Sequence, residues 1–302
     1  MSEGNLHQNR SRLTDASILP ICAPRSVAMK PSVWFRRVVL LVLLIIAGQR
    51  GLAEETPFIA LETSDQGRAF SAVGRIDLAG RGFCTGTLIE PGLVLTAAHC
   101  LYDQETGEKI SLAGLSFAPA FRNSRAAAFR HIRRASVHKN YERDAEDPVR
   151  RVSHDLALLE LSQPIHQNGI VPMSVGRHSG EFDEVALVSY AHDRADVPSL
   201  EQSCRVLASE GSAQVLSCDV DFGSSGAPVI ALEDGALRIV SVVSAKARYQ
   251  GQKVALAAQV LDQIAVLREG FTANASAIRL PQVRSEVSTA SQTGAGAKFL
   301  RP

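Results

Sequence analysis

Apolar residues along the chain fall into two unlike regimes. The first is one dense run, "VVLLVLLIIAG" at residues 38–48, with Lys30, Arg36 and Arg37 ahead of it. The second begins near residue 70 and consists of brief, partly β-branched stretches broken by turns. "FSAVGRIDL" (70–78), "GFCTGTLI" (82–89), "GLVLTAA" (92–98), "DLALLEL" (155–161) and "EVALVSYA" (184–191) are of strand length. "APVIAL" (227–232) and "LRIVSVVSA" (237–245) flank Asp234-Gly235, a hairpin-turn dipeptide. Residues 103–151 are polar and rich in Arg and Ala, which predicts surface loops. Helical spacing is rare; its best case is Val260, Ile264 and Leu267 on one face near the end. After about residue 271 the chain turns to Ala, Ser, Thr and Gly, which predicts a disordered tail over 271–302. No internal repeat is found. Many short strands at close spacing predict an all-β barrel or sandwich.

The run at 38–48 is too short for a comfortable membrane span and suits a signal-peptide core. "GLA" at 51–53 places small residues before Glu54, where a signal peptidase would cut. Residues 1–53 then form an N-terminal extension and signal peptide, and 54–69 a leader to the folded domain. The 28 residues ahead of Met29 are unusual for a signal peptide. Translation begins at Met29 or the chain carries a long extension, and an uncleaved anchor is the alternative to cleavage. On the cleaved reading, membrane contact is transient and the protein is secreted or periplasmic.

Cysteine usage supports export. Cleavage after Ala53 removes Cys22 and leaves Cys84, Cys100, Cys204 and Cys218. Their spacings match no Cys-x-x-Cys metal pattern. Two local disulfides, Cys84–Cys100 and Cys204–Cys218, are the simpler reading, in an oxidising compartment. Each would contribute roughly 3 kcal/mol by closing a loop of about 15 residues. The alternative is four reduced, buried thiols in a protein that stays in the cytosol. The net charge of +1 and the absence of a long Lys/Arg block give no electrostatic case for nucleic acid. Nothing calls for a metal or cofactor.

Three positions carry candidate chemistry. "GSSGAP", residues 223–228, places Ser225 between small residues. A serine hydroxyl needs a base to take its proton and a third group to orient that base. His99 ends "VLTAAHC", where a strand runs into small residues and a cysteine that would fix its loop. Asp155 opens the apolar run "DLALLEL", where a carboxylate requires a partner such as an imidazole N–H. Taken singly, each has an ordinary reading: a surface histidine, a turn aspartate, a small-residue loop.

Taken together they resemble the chymotrypsin-like (trypsin-fold) serine proteases. "CTGTLIEPGLVLTAAHC" looks like that family's histidine block, "HDLALLEL" like its aspartate block and "GSSGAP" like its nucleophile block. The order His99, Asp155, Ser225 is the family's order. The resemblance covers about residues 70–268 and implies two antiparallel β-barrels, roughly 70–165 and 166–270, with a C-terminal helix and a cleft between the barrels. It implies His99 as general base, Asp155 as its orienting partner and Ser225 as nucleophile. The backbone N–H groups of Gly223 and Ser225 would bind the oxyanion, with glycine at 223 allowing an unusual backbone conformation. The function implied is a secreted or periplasmic serine endopeptidase acting on peptides or proteins as a monomer. The alternative is a catalytically silent pseudoprotease acting as a binding module; retention of all three residues favours catalysis.

Departures from the family pattern bear on activation and specificity. Ser224 stands where the family usually has Asp, and no Ile-Val-Gly-Gly start lies near residue 70, so the trypsin activation switch is expected to be absent. "CDVDFGSSGAP" is closer to the bacterial glutamyl-endopeptidase-like branch. Asp219, six residues before Ser225, matches the position that floors a basic-selective pocket, yet the cysteine expected two residues later is Asp221. Glutamyl endopeptidases place a histidine near Val243, and this chain has none there. Val243, Ser244 and Ala245 fall on the strand that would pair with substrate backbone. Asp221-Phe222-Gly223 spells a kinase tripeptide without the accompanying loops, and the Ser-Asp-His order of α/β-hydrolases is reversed here.

Overall fold

The computed structural model describes residues 58–177, 180, 181 and 183–277, with side chains as far as 271. The predicted extension and signal peptide at 1–53, and the tail from 278 onward, lie outside the described residues. No helix among the described residues is long and apolar enough to cross a membrane.

Among the described residues, thirteen strands build two antiparallel units. The first is a closed six-stranded barrel of β2 (Val73–Leu78), β3 (Phe83–Glu90), β4 (Leu93–Thr96), β7 (Ala157–Leu161), β6 (Arg130–Val137) and β5 (Leu115–Pro119), in that order. Its interior is filled by fully buried Ile76, Leu88, Val94, Leu115, Phe117 and Leu159. The second unit contains β8 (Glu184–Ala191), β9 (Arg194–Glu210), β10 (Ala213–Leu216), β13 (Gln252–Gln259), β12 (Ala236–Tyr249) and β11 (Pro228–Glu233). Because β8 pairs with both β9 and β11, this sheet also returns on itself. One cluster of its core is built of Val185, Leu187, Val206, Leu216, Val229, Val240, Ala255 and Ala257. Closure removes the edges that open sheets must protect.

The apolar runs at 70–98, 155–161, 184–191 and 227–245 all form strands. The Asp234-Gly235 turn has φ of 50° and 77° at its two residues, the mirror-image turn that suits strand twist. The polar stretch 103–151 differs from expectation, since it holds β5, β6 and the short helix α1 (Pro148–Ser153). In β6, "RHIRRASV", the inward positions carry Ile132 and small residues while the arginines face out, so its apolar content is low. Arg133 and Arg134 both pair with Glu160 on β7, so the polar side of this strand is itself cross-linked.

The folded unit also takes in residues ahead of position 70. β1 (Ile59–Ala60) adds to β9 by pairing with Leu200 and Ser199, and Leu61 is buried. At the other end, α2 (Ile264–Ala277) crosses back to the first barrel. Buried Leu267 accepts a hydrogen bond at its carbonyl from Ser136 on β6, 2.6 Å away. The spacing of Val260, Ile264 and Leu267 thus marks the helix that ties the second unit to the first. Described helix continues to Ala277, past the point where composition predicts a tail.

Candidate functional site

β4 ends at Thr96 and a single 3-10 turn, Ala98–Leu101, follows. That turn carries His99. Cys100 within it is bonded to Cys84 on β3, so the turn is covalently fixed to the neighbouring strand. Asp155 sits between α1 and β7, where its own N–H donates to Val152 carbonyl at 3.0 Å. It is 2% exposed. A buried carboxylate needs donors, and three converge on it. The His99 backbone N–H reaches Oδ1 at 2.8 Å, the His99 Nδ1–H reaches Oδ2 at 2.6 Å, and the Ser244 hydroxyl reaches Oδ2 at 2.6 Å. The last comes from β12, in the second unit. Burial alone would lower the His99 pKa, but the Asp155 charge and its hydrogen bond outweigh burial and raise it above the ordinary 6.5. With Nδ1 bonded to the carboxylate, Nε2 is left to act as a base.

Ser225 lies in the loop between β10 and β11. Thr85 on β3, wholly buried, holds that loop from the first barrel. Its N–H donates to Ser225 carbonyl at 2.9 Å and its hydroxyl to Gly223 carbonyl at 2.8 Å. Gly226 N–H donates to Val243 carbonyl at 2.8 Å and His192 N–H to Phe222 carbonyl at 2.7 Å. Gly223 has φ of +96°, and a Cβ there would meet the Phe83 ring at 2.3 Å. Glycine is thus required twice, by conformation and by space. Ser224, in place of the family's Asp, donates from its hydroxyl toward Ser189 Oγ and Tyr190 carbonyl, each at 3.3 Å. Neutral hydrogen bonds therefore occupy the place where an ion pair is expected in trypsin.

His99, Asp155, Gly223, Ser225 and Ser244 line one cleft of about 1150 Å³. Val243 and Ala245 line it too. Asp219 is placed differently. It faces a smaller adjoining cavity, its carboxylate is paired with Lys253 at 3.3 Å, and it does not line the main cleft. Sequence reading missed three contributors. Ser244 was assigned to the substrate strand, but its hydroxyl serves Asp155. Thr85 and Lys246 carried no local motif; only cross-strand register brings them to the site. Lys246 pairs with Asp221 at 2.7 Å, and with the Phe222 N–H this bond holds Asp221 below the usual carboxylate range. Two clusters could suggest metal ligands, Cys84–His99–Cys100 and Glu201–Cys204–Cys218, but their sulfurs are committed to the disulfides Cys84–Cys100 and Cys204–Cys218.

Comparison with known proteins agrees with this geometry. A glutamyl endopeptidase of Bacillus licheniformis is 28% identical over 149 residues, 49% of this chain and 45% of that protein. Serine protease 23 of Bos taurus is 27% identical over 165 residues, 48% of this chain and 43% of that protein. The chain thus spans under half the length of these curated relatives. A solved structure of a Glu endopeptidase in complex with MPD superposes with a TM-score of 0.57 at 19% identity, over 74% of this chain and 98% of that one, a likeness of fold. Residues 62–265, some two-thirds of the chain, match the Trypsin family. The chain belongs to the trypsin family, the chymotrypsin-like serine peptidases.

Proposed function

We propose that this protein is an exported serine endopeptidase that hydrolyses peptide bonds through an acyl-enzyme on Ser225. The observation that carries this reading is the His99–Asp155 pair, held by three hydrogen bonds and opening on the same cleft as Ser225. Ser225 Oγ attacks the peptide carbonyl while His99 Nε2 accepts its proton. Negative charge gathers on the former carbonyl oxygen. Among the described residues neither the Gly223 nor the Ser225 N–H has a protein acceptor, whereas the Ser224 N–H between them donates to Asp221 carbonyl at 2.9 Å. Two free donors beside the nucleophile suit an oxyanion. The carbon–nitrogen bond then breaks, and the departing amine takes the proton from His99. Water repeats the attack with its proton passing to His99, and the carboxylic product leaves as Ser225 regains its hydrogen.

The substrate chain has a place to lie. β11 pairs with β12 only as far as Val242, while β13 continues alongside to Tyr249. The segment of β12 from Ser244 onward therefore offers one open backbone edge to an extended peptide. Both disulfides support an oxidising, extracytoplasmic location. Fluorophosphonate treatment tests the whole reading. Labelling of the purified mature protein that disappears in Ser225→Ala, together with a fall in kcat of about 10^6, is the expected result. A folded wild-type protein that takes no label would instead support the pseudoprotease, a binding module with an inert cleft.

A further inference from the structure

We propose that the Lys246–Asp221 ion pair truncates the primary specificity pocket, so that the enzyme cleaves after small, uncharged residues. This rests on the serine endopeptidase reading and assigns that site its substrate class. The side chain of the residue ahead of the scissile bond (P1) leaves the acyl carbon at Ser225. It must then enter between two walls: the segment Val220–Phe222, which leads into Gly223, and the segment of β12 from Ser244 to Ala247. Lys246 reaches across that gap. Its Nζ lies 2.7 Å from Asp221 Oδ1 and 4.0 Å from the centre of the Phe222 ring. The Phe222 N–H, at 2.8 Å, fixes the same carboxylate oxygen. One ammonium group is thus held at once by the charge and the ring face of the opposite wall.

The space behind this pair is separate. A second cavity of about 400 Å³ contains the Asp219–Lys253 pair. Val220, Asp221, Lys246 and Ala247 border both this cavity and the catalytic cleft, so they form the partition between them. Val220, Ala247 and Leu256 contribute apolar surface to the cleft lining. A charged P1 group would meet Lys246 and Asp221 already paired with each other. A long one would have to separate Lys246 from Asp221. Even then, Asp219 would meet an arginine or lysine already neutralised by Lys253. Basic specificity is therefore masked twice, first by the gate and then by Lys253.

The partners of the gate are about half exposed, at 51% and 50%. An exposed pair is cheap to open, so discrimination is graded rather than absolute. The test uses peptide substrates identical except for Ala, Leu, Phe, Arg or Glu at P1. Each protein is first titrated with the fluorophosphonate, and rates are expressed per labelled site. The wild type is expected to prefer Ala. Lys246→Ala should raise kcat/KM for Leu and Phe relative to Ala by about tenfold. Adding Lys253→Ala should raise the Arg substrate by about a further tenfold, through the freed Asp219. A wild-type preference for Arg or Glu overturns the proposal. So does an unchanged P1 profile in labelled variants, which would leave the protease reading standing. A wild type that does not label at all fails earlier, at the protease reading, and the gate falls with it.

Discussion

The first barrel and the second unit face each other across one cleft, yet they supply it with different kinds of group. From the first come His99 and Asp155, on a turn fixed by a disulfide and with the carboxylate 2% exposed. From the second come Ser225 and the partly exposed Lys246–Asp221 pair, with the Lys253–Asp219 pair in the adjoining cavity. Electrostatics is strong where water is excluded and weak where it is not. The buried pair can therefore carry the proton transfer, and the exposed pairs can only bias which side chain fits. Hydrogen bonds join the two sides beside the catalytic groups. Ser244 reaches from the second unit to Asp155, and Thr85 reaches from the first barrel to the loop of Gly223 and Ser225. Substitutions on the first side should therefore reduce kcat for every substrate. Those at the exposed pairs should redistribute kcat/KM among substrates.

The most severe way to break the contrast is Asp155→Asn. The amide keeps the size of the carboxylate but presents donors as well as an acceptor to His99. It cannot satisfy the His99 N–H, the Nδ1–H and the Ser244 hydroxyl together. The imidazole is then held in the wrong tautomer, and kcat should fall about 10^4-fold, as expected of a triad that loses this group. Stopped-time assays at one pH, against a circular-dichroism control for folding, would check it. A loss confined to KM would contradict the role assigned to Asp155.

Gly223→Ala strikes the second side at a conformationally constrained donor. The new methyl would meet the Phe83 ring at 2.3 Å in a backbone region with φ of +96°. The loop must shift, and the 223 N–H shifts with it. Loss of one oxyanion donor lowers kcat by about 10^2–10^3. Affinity for a substrate-derived peptide aldehyde, which forms an oxyanion, should fall in parallel, while affinity for the uncleaved peptide should hardly change. Equal losses in both would assign Gly223 to ground-state binding instead.

Much of the first side was legible in the sequence, because its chemistry is local. The histidine precedes a cysteine, the aspartate opens an apolar run, and both neighbours do what adjacency suggests. The small-residue loop around Ser225 was legible for the same reason. The pocket was not. Asp219 is close to Ser225 along the chain, but the position of its side chain depends on Lys253, which belongs to a different strand. Lys246 likewise gains its meaning from Asp221, 25 residues earlier. β6 escaped notice because its arginines interrupt the apolar positions, and its support comes from Glu160 on β7. Periodicity reports one strand at a time; charge pairs between strands leave no such trace.

The mildest prediction compares two histidines of the first barrel that burial treats alike and their neighbours treat differently. His99 faces Asp155, and its pKa is raised above 6.5. Buried His138 is stacked on His154 at 4.8 Å, and its pKa is lowered from 6.5 to about 4 by burial, then by the charges of His154 and Lys139. The signs therefore oppose. The fold favours protonated His99, so its stabilising contribution is full below 6.5 and is lost as pH rises through the raised value. The fold favours neutral His138, so its contribution is full above 6.5 and is lost as pH falls towards 4. The proposed mechanism needs neutral His99, so kcat/KM should decline on acidification with its midpoint above 6.5. Tm should decline separately between 6.5 and 4. In His138→Gln the fall in Tm should shrink while the midpoint for kcat/KM stays in place. If that midpoint moved with the His138 substitution, the proton that limits catalysis would belong to the stacked pair rather than to the histidine bound by Asp155.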